Sequence, residues 1–150
     1  MAVLMDLDVD VHPANKTAPG ERTALWTLAK DYGKKDILYS GPLYKSHKVD
    51  GNKIIIEFDH ADTGLMLGKK TGFNPAVELP NGELSCVEIA AADKKFKKAR
   101  AKIEGKTLEV YSEEVAEPVA VRYAYTNIPA EPFLYNKAVL PAAQFRTDNW

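Results

Sequence analysis

"SHKVDGNKIIIEF", residues 46–58, decides how most of this chain is read. Asp50-Gly51 is a turn dipeptide, and after it Ile54, Ile56 and Phe58 recur at every second position. That is the pattern of a hairpin whose second strand buries one face. A second stretch behaves alike: "KARAKIEGKTLEVYS", residues 98–112, predicts a hairpin turning near Glu104-Gly105, with Leu108 and Val110 facing in. "PNGE", residues 80–83, is a further turn. "VAVRYAYTNI", residues 119–128, predicts a strand with Val121, Tyr123 and Tyr125 on one side. Short strands at this spacing indicate a mainly β, antiparallel sandwich-like domain. The tail, residues 129–150, is rich in proline and aromatics and has no period; its apolar content predicts an ordered segment packed on other structure.

Upstream the pattern differs. "MAVLMD" reads as a short buried strand ending at Asp6, and residues 18–32 read as a helix. Ala18, Leu25, Leu28 and Ala29 fall near one helical face, with Glu21, Arg22 and Lys30 elsewhere. Pro19 suits the first turn and Gly33 the stop. The chain therefore divides into a strand–loop–helix piece, residues 1–35, with the look of the last unit of an α/β domain, and a β-rich piece, residues 36–150. A lone strand and helix cannot bury both faces, so this piece is expected to pair with a second copy as a homodimer through the N-terminal segment.

Composition narrows the functions. A net charge of -1 over 150 residues supplies no basic field for nucleic acid. The basic run Lys94, Lys95, Lys97, Lys98 and Arg100 around Phe96 reads as one solvated strand face. One cysteine, Cys86, excludes an intrachain disulfide and a cysteine-based metal site. No run approaches a membrane span, and the N-terminus as written has no signal-peptide core. Asp59, His60 and Asp62 form a solvated turn more readily than an oxygen-rich cation site. Trp26, Tyr123 and Tyr125 are read as core before sugar platform.

"DVDVHPANKTAPGERTALW", residues 8–26, holds the residue with the most chemistry. His12 lies between carboxylates and a helix. In a serine hydrolase an imidazole takes the hydroxyl proton and later returns it, while a carboxylate orients the ring. Asp10 could orient His12, with Asp6 and Asp8 as alternatives.

Three blocks carry a resemblance: Asp10-Val11-His12-Pro13-Ala14-Asn15-Lys16, Gly20-Glu21-Arg22-Thr23-Ala24, and Tyr39-Ser40-Gly41-Pro42. With "VAVRYAYTNIP" and "LYNKAVLPAAQFRTDNW" they make nearly the whole chain resemble, in order, the C-terminal part of the sialate O-acetylesterase family of SGNH-type hydrolases. Val139 departs from the family's usual glycine and Gln144 from its usual proline. The resemblance implies His12 as general base, Asp10 as its partner, an O-acetylated sugar as substrate, a serine acyl-enzyme, and no cofactor or metal. It also implies a periplasmic or secreted parent. The family's nucleophile and oxyanion-hole blocks lie upstream of the histidine, and none is present here. Ser40, Ser46, Ser85 and Ser112 all follow His12, and none sits between a strand and a helix as a nucleophile elbow requires. The chain is thus expected to be an esterase fragment holding the catalytic histidine loop. The alternative is a non-catalytic structural or carbohydrate-binding β-module.

The isolated chain is therefore expected to hydrolyse p-nitrophenyl acetate no faster than its His12→Ala variant. A clear His12-dependent rate in that assay would reveal a nucleophile within these residues.

Overall fold

The computed structural model describes residues 2–7 and 12–150. Helix α1 (Thr17–Lys30) is followed by β1 (Leu43–Asp50), β2 (Lys53–Asp59), β3 (Leu65–Lys69), β4 (Val77–Glu78), β5 (Val87–Ala90) and β6 (Phe96–Lys98). Then come β7 (Arg100–Glu104), β8 (Thr107–Tyr111), β9 (Ala120–Tyr123), β10 (Phe133–Asn136) and β11 (Phe145–Arg146). The domain is mainly β, and every strand pairing is antiparallel among the described residues.

The first hairpin forms as its alternation requires. Asp50 pairs with Lys53 across Gly51 and Asn52, so the turn lies one residue later than Asp50-Gly51. Gly51 takes φ 60°, the left-handed conformation that a two-residue hairpin loop asks of its first central residue. Ile54, Ile56 and Phe58 face the core while Lys53, Ile55 and Glu57 alternate outward. The second hairpin, β7–β8, turns at Gly105-Lys106 and buries Leu108 and Val110 completely. Pairing of β2 with β8 makes the sheet β1-β2-β8-β7.

Its apolar face shares one core with the sheet β11-β9-β5-β6, which contributes Val87, Ile89, Val121, Tyr123 and Phe145. Phe145 contacts Tyr44, Phe58 and Tyr123, with ring centroids 5.3, 5.7 and 5.6 Å away, and so ties the two sheets together. The third sheet, β10-β3-β4, closes the same core with Leu65, Leu67 and Leu134. Tyr125 does not join Val121 and Tyr123. Ala124 takes φ 52° and ends β9, which breaks the alternation and leaves Tyr125 exposed.

The proline-rich tail is the clasp of the fold. The Asn136 side chain donates to the carbonyls of Ser40 and His60, both at 3.0 Å, and accepts from the Leu140 amide at 3.1 Å. This brings residues 39–42 against the tail so closely that a Cβ on Gly41 would lie 1.9 Å from the Pro141 carbonyl oxygen. No larger residue fits there. Near the C-terminus Arg122 forms a two-bonded pair with Asp148, at 2.9 and 2.8 Å, and its guanidinium lies 3.9 Å from the Phe96 ring centre. Hydrogen bonding from Arg122 holds the buried Asp148 carboxyl below the usual carboxylate range.

One expected element is absent. Residues 2–7 form no strand: the chain turns at Met5-Asp6. A strand needs an edge to pair with, and here Asp6 is drawn inward by a charge partner instead.

Val139 adopts φ 64° at the end of the Asn136–Val139 turn, a conformation that costs a β-branched residue about 1–2 kcal/mol. Val139→Gly should relieve that cost but add freedom to the unfolded chain and lose side-chain contacts, so thermal melts should show it tolerated, with a loss below about 1 kcal/mol rather than the larger loss of an ordinary core truncation. Asp148→Asn should cost about 2 kcal/mol at neutral pH, the scale of hydrogen bonds to a charged group. Because the folded-state pKa is depressed, this contribution is full above about pH 4, the range of an unfolded carboxylate, and fades as pH falls through the folded value. The gap between wild type and Asp148→Asn in chemical denaturation should accordingly narrow in acid.

Candidate functional site

Helix α1 positions the histidine loop, and a carboxylate positions α1. Arg22 is buried on the inner face of the helix beside Ala18, while Leu28 is exposed, the reverse of the expected arrangement. Periodicity places a cation outward by default; here Asp6 reverses that. The guanidinium meets both Asp6 oxygens at 2.6 and 2.7 Å and the Val3 carbonyl at 2.6 Å. The Tyr135 hydroxyl donates to the same carboxylate at 3.0 Å, and burial with this nearby negative charge pushes the Tyr135 phenol far up. The pair's side chains are 10% and 0% exposed, so the network ties residues 2–7, α1 and β10 together in the interior. Both Asp6 oxygens are thus engaged, by Arg22 and by Tyr135.

Asn15 makes the second attachment. Its Oδ1 accepts from the Ala18 amide at 3.0 Å and caps α1, although the residue next to the helix is Lys16. Its Nδ2 donates to the Gly72 carbonyl at 2.9 Å, joining the loop that carries His12 to residues 70–76. His12 itself is exposed, three residues before this staple. Asp8 and Asp10 lie outside the described residues, so the pairing of Asp10 with His12 is not tested.

Beside α1 lies a cleft of about 300 Å³, bounded by Asn15, Glu21 and Leu25 on one side and by Lys70, Phe73 and Val139 on the other. His12 is not among its lining residues. Phe73 was not singled out by the sequence, because it stands alone in "KTGFNPA" without a period to mark it.

The hydroxyls are engaged in structural bonds. Ser40 donates to the Gly41 carbonyl, Ser46 to Glu57 and Ser85 to the carbonyl of Glu131, while Ser112 accepts from the Glu114 amide. The only helix among the described residues precedes all four in the chain. Burial pushes the Cys86 thiol up to about 11, so it is no thiolate nucleophile near neutral pH. Asp59 and Asp62 pair with Lys45 and Lys106 at 3.6 and 2.9 Å, and no group of three acidic, histidine or cysteine side chains among the described residues could hold a metal. His60 packs against Tyr39, whose other neighbours are Trp26 and Lys30. In the basic run, Lys97 and Arg100 stand 3.4 and 3.9 Å from Glu114 and Glu113. Among the described residues no helix is long and apolar enough to cross a membrane.

Fold and site together define a β-sandwich domain that carries, on a docked N-terminal helix, a loop with one exposed histidine. Comparison with solved structures adds a relative. The crystal structure of a carbohydrate acetylesterase from Xanthomonas citri superposes with a TM-score of 0.85 at 36% sequence identity. The match covers 99% of this chain and 32% of that one, so the chain spans about a third of the length of its relative. No family model matches the chain, and no curated protein sequence does. The chain is thereby related to a carbohydrate esterase through its fold and sequence together.

Removing one member of the buried pair leaves the other charge unpaired. Asp6→Ala should cost about 3–5 kcal/mol in denaturant unfolding, and Tyr135→Phe only about 1 kcal/mol. Equal small losses in both variants would show that the carboxylate does not anchor the N-terminal segment.

Proposed function

We propose that this chain is the C-terminal part of a sialate O-acetylesterase-like carbohydrate esterase of the SGNH type, which removes O-acetyl groups from sugars through a serine acyl-enzyme. The observation that carries the reading is the 36% identity extending over 99% of the chain to a carbohydrate acetylesterase. The order of the sequence blocks around His12 supports the same assignment.

In this reading His12 is the general base. Its imidazole accepts the proton of a serine hydroxyl as that oxygen attacks the acetyl carbonyl, then returns the proton to the departing sugar hydroxyl. In the second half it accepts a proton from a water whose oxygen attacks the acetyl carbonyl, then gives that proton to the serine oxygen as the acetyl–serine bond breaks and acetate leaves. Asp10 holds the imidazole tautomer and stabilises the imidazolium. The serine and the oxyanion donors come from sequence outside these residues. The cap by Asn15 and the Asp6–Arg22 pair serve the chemistry indirectly, by fixing the helix from which the His12 loop departs.

The test is a chimera. This chain replaces the matching third of the Xanthomonas citri enzyme, and acetate release from an acetylated glycan is measured. Activity should return, and His12→Ala in the chimera should lower kcat by at least about a thousandfold. Asp10→Asn should reduce kcat while leaving KM nearly unchanged. A chimera that folds, by circular dichroism and sedimentation, yet releases no acetate would overturn the assignment.

A further inference from the structure

Phe73 is 69% exposed at the rim of the cleft beside α1. A solitary exposed apolar side chain means little by itself. This one stands on a loop that is held in place. Asn15 bonds the Gly72 carbonyl, Lys70 Nζ donates to the Asn74 carbonyl at 2.6 Å, and the Asn74 amide donates to the Thr71 carbonyl at 3.2 Å. The loop that carries the phenyl ring is thus held at the edge of a cleft whose lining mixes polar groups with Leu25 and Val139. Glu21 offers an acceptor there, and the Lys70 ammonium has two donors beyond the one given to Asn74. An apolar ring over a few placed polar groups matches a pyranose, which has a C–H face and a rim of hydroxyls. The cleft, about 300 Å³, is at the lower end of the range for small-ligand sites.

The cleft is also tied to the chemistry. Asn15 lines it and lies three residues from His12, so their Cα atoms are at most about 11 Å apart even with the chain extended. The geometry points to this cleft as a subsite for one pyranose unit of an oligosaccharide, stacked on Phe73, while a neighbouring O-acetylated unit is presented to His12. The substrate is then an acetylated glycan chain rather than a free acetylated monosaccharide. The role given to His12 rests on the esterase reading; the binding of sugar at Phe73 does not.

The full chain, labelled with ¹⁵N, is titrated with xylotetraose, cellotetraose and xylose. One tetraose should shift the Gly72 and Phe73 amides and the Asn15 side-chain amide, with millimolar affinity, and xylose should bind at least about tenfold more weakly. Phe73→Ala should weaken tetraose binding at least about tenfold, and Phe73→Trp should keep it. An unchanged spectrum away from the loop shows that each variant folds. His12→Ala should leave binding intact. No shift at these amides with either tetraose, or binding that survives Phe73→Ala, overturns the subsite. Binding at Phe73 together with an inactive chimera removes the esterase reading and leaves the subsite; an active chimera without binding does the reverse.

Discussion

The carboxylate of Asp6 is the constraint on which the N-terminal end depends. A helix of fourteen residues is marginal by itself in water, and the buried residues of α1 are Ala18 and Arg22 alone. Burying an arginine is costly unless its charge is met with good geometry. Asp6 meets it with two short bonds, and Tyr135 adds a third contact from β10. Three segments distant in sequence therefore converge on one group. An ion pair of this kind adds little stability over an apolar pair of equal volume, but its directionality selects one position for the helix. The rotation of α1, and with it the departure of the His12 loop, follows from that pair.

The sandwich behind the helix is closed by polar contacts from its own tail. Asn136 satisfies two carbonyls and one amide from different parts of the chain, inside the protein where each would otherwise be unpaired. Arg122 and Asp148 fasten the last residues across the outer side of β9 and β11, where Arg122 also covers Phe96. Val139 accepts an unfavourable backbone conformation at the turn between Asn136 and Pro141. The contacts on either side of that turn leave it no other course.

This division of labour suits the proposed role, in which the domain holds part of a reaction centre. The β-core gives rigidity, the docked helix fixes a loop, and the loop presents an imidazole to solvent. The relative in which the chain corresponds to about a third of the length is a carbohydrate acetylesterase. A general base alone performs no acyl transfer, which is why the proposed chemistry divides between His12 here and groups beyond these residues.

Much of the fold was legible because its strands alternate cleanly. Ile54, Ile56 and Phe58, and likewise Leu108 and Val110, announce a buried face by spacing alone, and Gly51 and Gly105 mark the turns between them. The extent of the helix was legible from Pro19 in its first turn and Gly33 beyond its end, though its buried face was not, and His12 stood out by its chemistry and by the blocks around it. What spacing could not show was any choice made by a distant partner. Arg22 points inward because Asp6 is there, and residues 2–7 bend because the same carboxylate is drawn in rather than a strand being paired. Tyr125 leaves its face because one backbone dihedral at Ala124 reverses. Asn15 and Phe73 become neighbours only through a bond between residues fifty-seven positions apart. Local pattern determined which residues form strands and which form the helix. Tertiary structure decided where charges and loops come to rest, because those positions depend on partners that no local period encodes.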